Sequence, residues 1–365
     1  MDEMFMKRAL VLAKQGRGHV DPNPLVGAVL VKDGRIIGEG YHACYGEAHA
    51  EVRAFENATE SVAGATLYVT LEPCAHTGKT PPCATRIIDK QIARVVIGSI
   101  DPNPLVSGRG MTMLKQAGIT VKTGLLDDEN KTLNRAFFKH ITTGLPYVVM
   151  KTAMTADGKI ATKTRQSRWI TGPKAREHVH QLRHEMMAIM VGVKTVMHDN
   201  PALTVRHLEG TVRQPIRVVL DSRLDIPLDA LVVATAQTVP TWVMTTHAAP
   251  LEKINQLKAH GVVVHTFDAQ AGEVDVLAAL THMGASGINS ILLEGGGTLN
   301  HAMFTAGLVD ALHLFIAPKI FGGANAPTPV EGEGVTHVES AWPLSLQRIE
   351  HYDDDLCLIY TVKKE

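Results

Sequence analysis

Residues 25–42, LVGAVLVKDGRIIGEGYH, hold two apolar runs around a Lys-Asp-Gly turn and predict a β-hairpin. Ahead of them, MDEMFMKRALVLAKQG spaces its apolar positions as a short amphipathic helix. Beyond the hairpin the patterns alternate. HAEVRAFENA has helical spacing, TLYVTLEP reads as strand, ATRIIDKQI as helix, ARVVIGSI as strand and GMTMLKQAG as helix. ITVKTGLL is a further strand, and DDENKTLNRAFFKHITTG a longer helix. The order α-β-β-α-β-α-β-α-β-α predicts a three-layer α/β sandwich with a mixed sheet.

The segment TGLP, Thr143–Pro146, supplies a Gly and a Pro after that long helix and marks a domain boundary. Domains of 1–145 and 146–365 fit a chain of 365 residues. The second restarts with the strand YVVMKTAM. It continues through AIMVGV, PIRVVLD, TWVMTT, VVVHTF, SILLEGG, DALHLFIAPKI and LCLIYTV, with helical patterns between several of them. A second α/β domain is expected.

Composition narrows the function classes. A net charge of −1 with 20% charged residues gives no bulk attraction to nucleic acid or anionic membranes. No stretch approaches the roughly 20 apolar residues that span a bilayer. The acidic, charge-interrupted start does not fit a secretory signal. A cytosolic protein is expected, and there its four cysteines (Cys44, Cys74, Cys83 and Cys357) point to metal or catalysis before disulfides.

Cys74 and Cys83 lie in TLEPCAHTGKTPPC, and GEAHAEVRAF upstream carries His49 and Glu51. His-x-Glu followed by Pro-Cys and a second Cys is the zinc-deaminase arrangement. Three ligands, His49, Cys74 and Cys83, leave one tetrahedral position open. Zinc lowers the pKa of water there to about 7. Glu51 is the proton carrier, work worth roughly 10²–10⁴ in rate. Eight residues separate the cysteines where most zinc deaminases have two. His76 in that longer loop is an alternative fourth ligand, which would close the site and leave Glu51 without a task.

DPNPLV occurs twice, at Asp21–Val26 and Asp101–Val106, and holds Asn23 and Asn103 in stiff loops. By themselves these read as ordinary turns. In the second half no early G-x-G-x-x-G follows a strand, which excludes a Rossmann fingerprint. SILLEGGGTLNHAMFTAG instead reads as strand, glycine turn and helix, a candidate phosphate loop at Gly295–Gly297.

Taken together, VDPNPLVGAVLV, GEAHAEVRA, TLEPCAHTGKTPPC and IGSIDPNPLVSGRG resemble the bifunctional riboflavin-biosynthesis deaminase–reductases. The resemblance continues through KTAMTADGKIAT, SRWITG, VGVKTVMHDNPALTVR, VVLDS and LLEGGGTLN, so it covers both domains. It implies a cytidine-deaminase-like domain followed by a dihydrofolate-reductase-like one. The first would remove the 2-amino group of 2,5-diamino-6-ribosylamino-4(3H)-pyrimidinone 5′-phosphate. The second would use NADPH to reduce the ribosyl group to ribityl. The long loop between the cysteines is normal in that family.

The same resemblance implies site residues. Asn23, His42, His76, Lys79, Asp101 and Asn103 would line the deaminase pocket, with Lys79 suited to a phosphate. Cofactor contacts would fall on Ala153, Trp169, Thr195, Asp199, Ser222, Gly296 and Gly297. Substrate contacts in the reductase would fall on Ser167, Arg183, Leu203, Arg206 and Glu294. Arg223 is either a ligand of the NADPH 2′-phosphate or a surface arginine, and Lys151 has no assigned role. A homo-oligomer through the reductase domains is implied. Two other classes share the ligand set: a nucleic-acid-editing deaminase with an accessory domain, and a structural-zinc interaction protein.

Overall fold

A computed structural model describes residues 1–75, 82–104 and 106–364. The chain forms two compact units, Met1–Gly144 and Leu145–Glu365.

The first unit opens with α1 (Asp2–Ala13), the hairpin β1 (Gly27–Lys32) and β2 (Arg35–Tyr41), and α2 (Ala50–Glu56). Then come β3 (Thr66–Leu71), α3 (Cys83–Asp89), β4 (Arg94–Ser99), α4 (Arg109–Gln116) and β5 (Thr120–Thr123). The helices α5 (Asp127–Leu133) and α6 (Arg135–Thr143) close it. The sheet runs β2-β1-β3-β4-β5, antiparallel at β2-β1-β3 and parallel beyond.

Strand period explains the three layers, because successive side chains point to opposite faces. Ala28 and Leu30 of β1 pack with Leu67, Val69, Val95 and Ile97 on the side of α2 to α4. Val29 and Val31 pack instead with Phe5, Met6, Ala9 and Leu12 of α1. Glycine sets the depth of α2: a Cβ at Gly40 would lie 2.5 Å from the Ala50 carbonyl.

The long helix expected over 127–144 is two helices. Asn134, at φ −105° and ψ 22°, breaks it. Its amide is spent elsewhere: Oδ1 accepts from the Leu25 N–H at 2.7 Å, and Nδ2 donates to the Leu25 carbonyl at 3.0 Å. A tertiary hydrogen-bond pair thus overrides helical propensity.

The second unit begins β6 (Tyr147–Thr155), α7 (Pro173–Glu185), β7 (Ala188–Gly192), α8 (Val193–Asp199) and β8 (Ile216–Leu220). It continues through α9 (Leu231–Ala234), β9 (Thr241–Thr246), α10 (Leu251–Ala259) and β10 (Val263–Phe267). A small hairpin follows, β11 (Ala269–Gln270) and β12 (Glu273–Val274). Last are α11 (Val276–Ala285), β13 (Ser290–Leu293), α12 (Gly297–Thr305), β14 (Ala311–Ala317), β15 (Leu344–Tyr352) and β16 (Asp355–Val362). The nine-stranded sheet has the order β10-β9-β8-β7-β13-β6-β14-β16-β15, parallel except at β14-β16-β15. The edge strand β15 has no counterpart in the apolar pattern. A bulge between Leu346 and Arg348 breaks its alternation.

Candidate functional site

In the first unit the ends of α2 and α3 converge on the loop after β3. His49 is the N-cap residue of α2, in extended conformation, and Glu51, two residues on in the first turn, is buried. Cys83 is the first residue of α3. The Cys83 N–H donates to the Cys74 thiol sulfur at 3.3 Å, which folds the chain after β3 back onto that helix.

His49 Nδ1 stands 3.7 Å from Cys74 Sγ and 3.3 Å from Cys83 Sγ, and all three donor atoms lie within 4.8 Å of one another. A tetrahedral zinc with ordinary Zn–S and Zn–N bonds separates such donors by about 3.6 Å, so the set fits zinc. Charge agrees with that fit. The Cys74 thiol is pulled down to about 4, first by the hydrogen bond from Cys83 and then by His49. The Cys83 thiol is pushed up by the same bond and by burial. Burial raises the Glu51 carboxyl, as a group that both takes and gives a proton near neutrality requires.

The pocket residues expected beside it are held by hydrogen bonds. His42 is 5.6 Å from His49 between ring centroids. Its Nδ1 faces the Ala48 carbonyl at 3.2 Å and so carries the proton, which leaves Nε2 to accept from Asn23 Nδ2 at 3.2 Å. Burial lowers its pKa and keeps it neutral. Asp101 Oδ1 accepts from the Asn103 N–H at 2.8 Å. His76 and Lys79 lie outside the described residues.

Glu72, absent from the sequence expectations, organises the second DPNPLV copy. This carboxylate is buried and accepts the amides of Gly108 at 3.0 Å, Met111 at 3.3 Å and Asp101 at 3.4 Å. It caps α4 from the segment just after β3. Gly110 lets the helix approach, since a Cβ there would meet the Pro73 carbonyl at 2.1 Å. The available signal was an acid closing the apolar run of TLYVTLEP, where only a partnered carboxylate can be buried.

In the second unit a cleft of about 960 Å³ opens at the carboxyl ends of the central strands. It is lined by Lys151, Ala153, Ser167, Trp169, Arg183, Thr195, Asp199, Leu203, Arg206, Glu294 and Gly296, among others. Ser222 and Gly297 are not in that lining. Ser222 Oγ donates to Glu273 at 2.5 Å, and Gly297 packs against Glu331, whose Cγ would be 2.3 Å from an added Cβ. Arg223 is exposed and sits 3.6 Å from Asp225.

Within the cleft, Arg183 Nε and Nη2 donate to both oxygens of Glu294 at 2.7 and 2.8 Å, and Nη1 donates to the Thr204 carbonyl at 3.0 Å. Burial pushes the Glu294 carboxyl up, but Arg183 holds it at about 2. The Ser167 hydroxyl donates to Asp199 at 2.9 Å. Lys151 points over the Phe315 ring, and burial lowers its pKa.

Comparison with known proteins finds a relative of each unit. Residues 1–99 match the cytidine and deoxycytidylate deaminase zinc-binding region, and residues 146–358 match the RibD C-terminal domain. The riboflavin biosynthesis protein RibD of Actinobacillus pleuropneumoniae is 49% identical over 358 residues, covering 98% of this chain and 94% of its own. The chain belongs to the RibD family. It is accordingly a deaminase–reductase of riboflavin biosynthesis, with Zn²⁺ and NADPH as its cofactors. RibD of Bacillus amyloliquefaciens is 44% identical, with 98% and 95% of the two chains covered. Among solved structures, Acinetobacter baumannii RibD (form 1) superposes with a TM-score of 0.89 at 36% identity, covering 100% and 99% of the chains. A diaminohydroxyphosphoribosylaminopyrimidine deaminase/5-amino-6-(5-phosphoribosylamino)uracil reductase from Thermotoga maritima gives 0.87 at 38% identity, with 99% of each chain covered. Both RibD domains are thus present, each a form of α/β layering. Among the described residues no helix is long and apolar enough to cross a membrane.

Proposed function

We propose that the two units carry out consecutive steps on one pyrimidine ribosyl phosphate. His49, Cys74 and Cys83 hold the zinc, which when bound supplies a nucleophilic water at neutral pH. Glu51 carries two protons in turn: the first from the attacking water to the ring nitrogen, the second from the hydroxyl so added to the amino group, which leaves as ammonia. Asn23, His42, Asp101 and Asn103 bind the pyrimidine edge. His42 contributes a neutral ring whose tautomer is set by the Ala48 carbonyl. His76 and Lys79 are proposed to complete this pocket.

The second unit then reduces the ribosyl group with NADPH. Ala153, Trp169, Thr195, Asp199 and the amide-rich start of α12 at Gly296 and Gly297 hold the cofactor, with Ser222 near its adenosine end. Ser167, Leu203, Arg206 and Glu294 bind the substrate. Arg206 takes its phosphate, because its guanidinium has no ion pair among the described residues, whereas Arg183 is committed to Glu294 and Thr204. Arg183 then shapes the pocket. The observation that carries this reading is the donor triad of His49, Cys74 and Cys83 with buried Glu51 beside it.

A cytoplasmic homo-oligomer joined through its reductase domains completes the proposal. A 39.5 kDa species in light scattering would exclude the oligomer. The activity is tested by supplying the diaminopyrimidine ribosyl phosphate and NADPH to zinc-loaded protein. Ammonia release followed by loss of NADPH absorbance is expected. Ammonia without oxidation would reject the second step, and neither signal would reject both.

A further inference from the structure

The segment Ala202–Arg206 enters the reductase cleft yet belongs to no sheet. Leu203 and Val205 are buried while Arg206 is exposed. Leu203 and His207 sit in left-handed conformations, φ 48° and 63°, which cost backbone energy for residues with a Cβ. Such a segment needs outside support, and side chains supply it. The Ala202 carbonyl accepts from Arg217 Nη1 at 3.2 Å and the Thr204 carbonyl from Arg183 Nη1 at 3.0 Å. Gln214 takes both polar groups of Val205, at 2.8 and 3.0 Å. The last N–H, that of Arg206, donates to His180 Nδ1 at 3.3 Å.

We propose that His180 is a positioning residue of the reductase, whose Nδ1 lone pair holds the Arg206 main chain so that the guanidinium stands in the cleft to receive the substrate phosphate. This rests on the assignment of Arg206 to that phosphate. His180 lies on α7, 9% exposed, and lines the same cleft. The charged and titratable groups around it are Arg183 on its own helix, Arg206 and His207 on the segment, and Glu294 after β13. Their balance is cationic, and the ring is correspondingly held neutral with its pKa at about 4, by burial first and then by Arg183 and Arg206. The chemistry explains the residue type. A carboxylate here would accept the same amide but would pair with Arg206 and compete with phosphate. A neutral imidazole accepts without adding negative charge.

The test uses full-length, zinc-loaded protein and separates KM from kcat for reduction of 5-amino-6-(5-phosphoribosylamino)uracil. Ammonia release by the other unit serves as an internal control. His180→Leu removes the acceptor, and His180→Asn restores one near Nδ1. Loss of one buried hydrogen bond predicts a KM about tenfold higher in His180→Leu, with kcat and NADPH affinity little changed and KM recovered in His180→Asn. Arg206→Ala is measured alongside. If it raises KM while His180→Leu does not, or if His180→Asn is as impaired as His180→Leu, the positioning role is overturned. If Arg206→Ala leaves KM unmoved, the phosphate assignment falls and the inference with it. Should His180→Leu not fold, His180→Gln replaces it, since its amide oxygen cannot reach the Nδ1 position.

Discussion

The Glu72 carboxylate accepts the Gly108 amide at 3.0 Å, tying the chain just after β3 to the start of α4. Two residues after Glu72 comes Cys74, and seven before Gly108 comes Asp101, so a metal ligand and a proposed substrate ligand share one anchor. Asn134 plays the same part for the first DPNPLV copy through Leu25. Each repeat is therefore a stiff loop tied from outside by a buried polar side chain.

Glu72→Leu leaves three amides without their acceptor. A loss of about 2–4 kcal/mol in stability of the first unit is expected, with lower deaminase turnover and unchanged reduction of the second substrate. Denaturant unfolding followed in parallel with both assays checks this. An unaltered deaminase would remove Glu72 from the site's support.

Glu51→Gln keeps the shape of the side chain and removes its proton-carrying capacity. Bound zinc should stay stoichiometric by elemental analysis while ammonia release falls by roughly 10²–10⁴. Ammonia released at the parental rate would strip Glu51 of its role.

Dipicolinate treatment, or Cys83→Ala, should abolish ammonia release and leave NADPH oxidation on the deaminated substrate intact, because the donor triad lies wholly in the first unit. Re-addition of zinc should restore the chelated protein and not the variant.

His180 predicts a pH dependence of stability. Its folded pKa of about 4 lies below the 6.5 of an ordinary imidazole, so as pH falls the unfolded chain takes the proton first. The contribution is complete above pH 6.5 and is lost as pH falls towards 4, amounting to at most ~3 kcal/mol. Thermal melts across that window should decline more steeply for the parent than for His180→Asn. Equal slopes would contradict the buried neutral ring.

Arg183→Ala leaves the Glu294 carboxylate, 12% exposed, without its bidentate partner. A destabilisation of about 3–5 kcal/mol is expected for the second unit. The paired change Arg183→Met with Glu294→Leu should recover stability and still fail to reduce substrate. Recovery of reduction would show that the ion pair is structural only.

The sequence by itself determined the layers, the two units and the chemistry of the metal. Those follow from local rules: strand alternation over Ala28–Val31, the Lys-Asp-Gly hairpin, and a histidine, a glutamate and two cysteines whose residue types admit few other uses. Tertiary structure alone decided what each charged group is free to do. Arg183 and Arg206 look alike in the chain, yet Glu294 and Thr204 consume one guanidinium while the other stands exposed. The break at Asn134, the cap supplied by Glu72 and the strap on Ala202–Arg206 are likewise hydrogen bonds between residues 9 to 109 positions apart. No local pattern encodes such partners, because a side chain's partner depends on which elements the fold brings within about 3 Å of it.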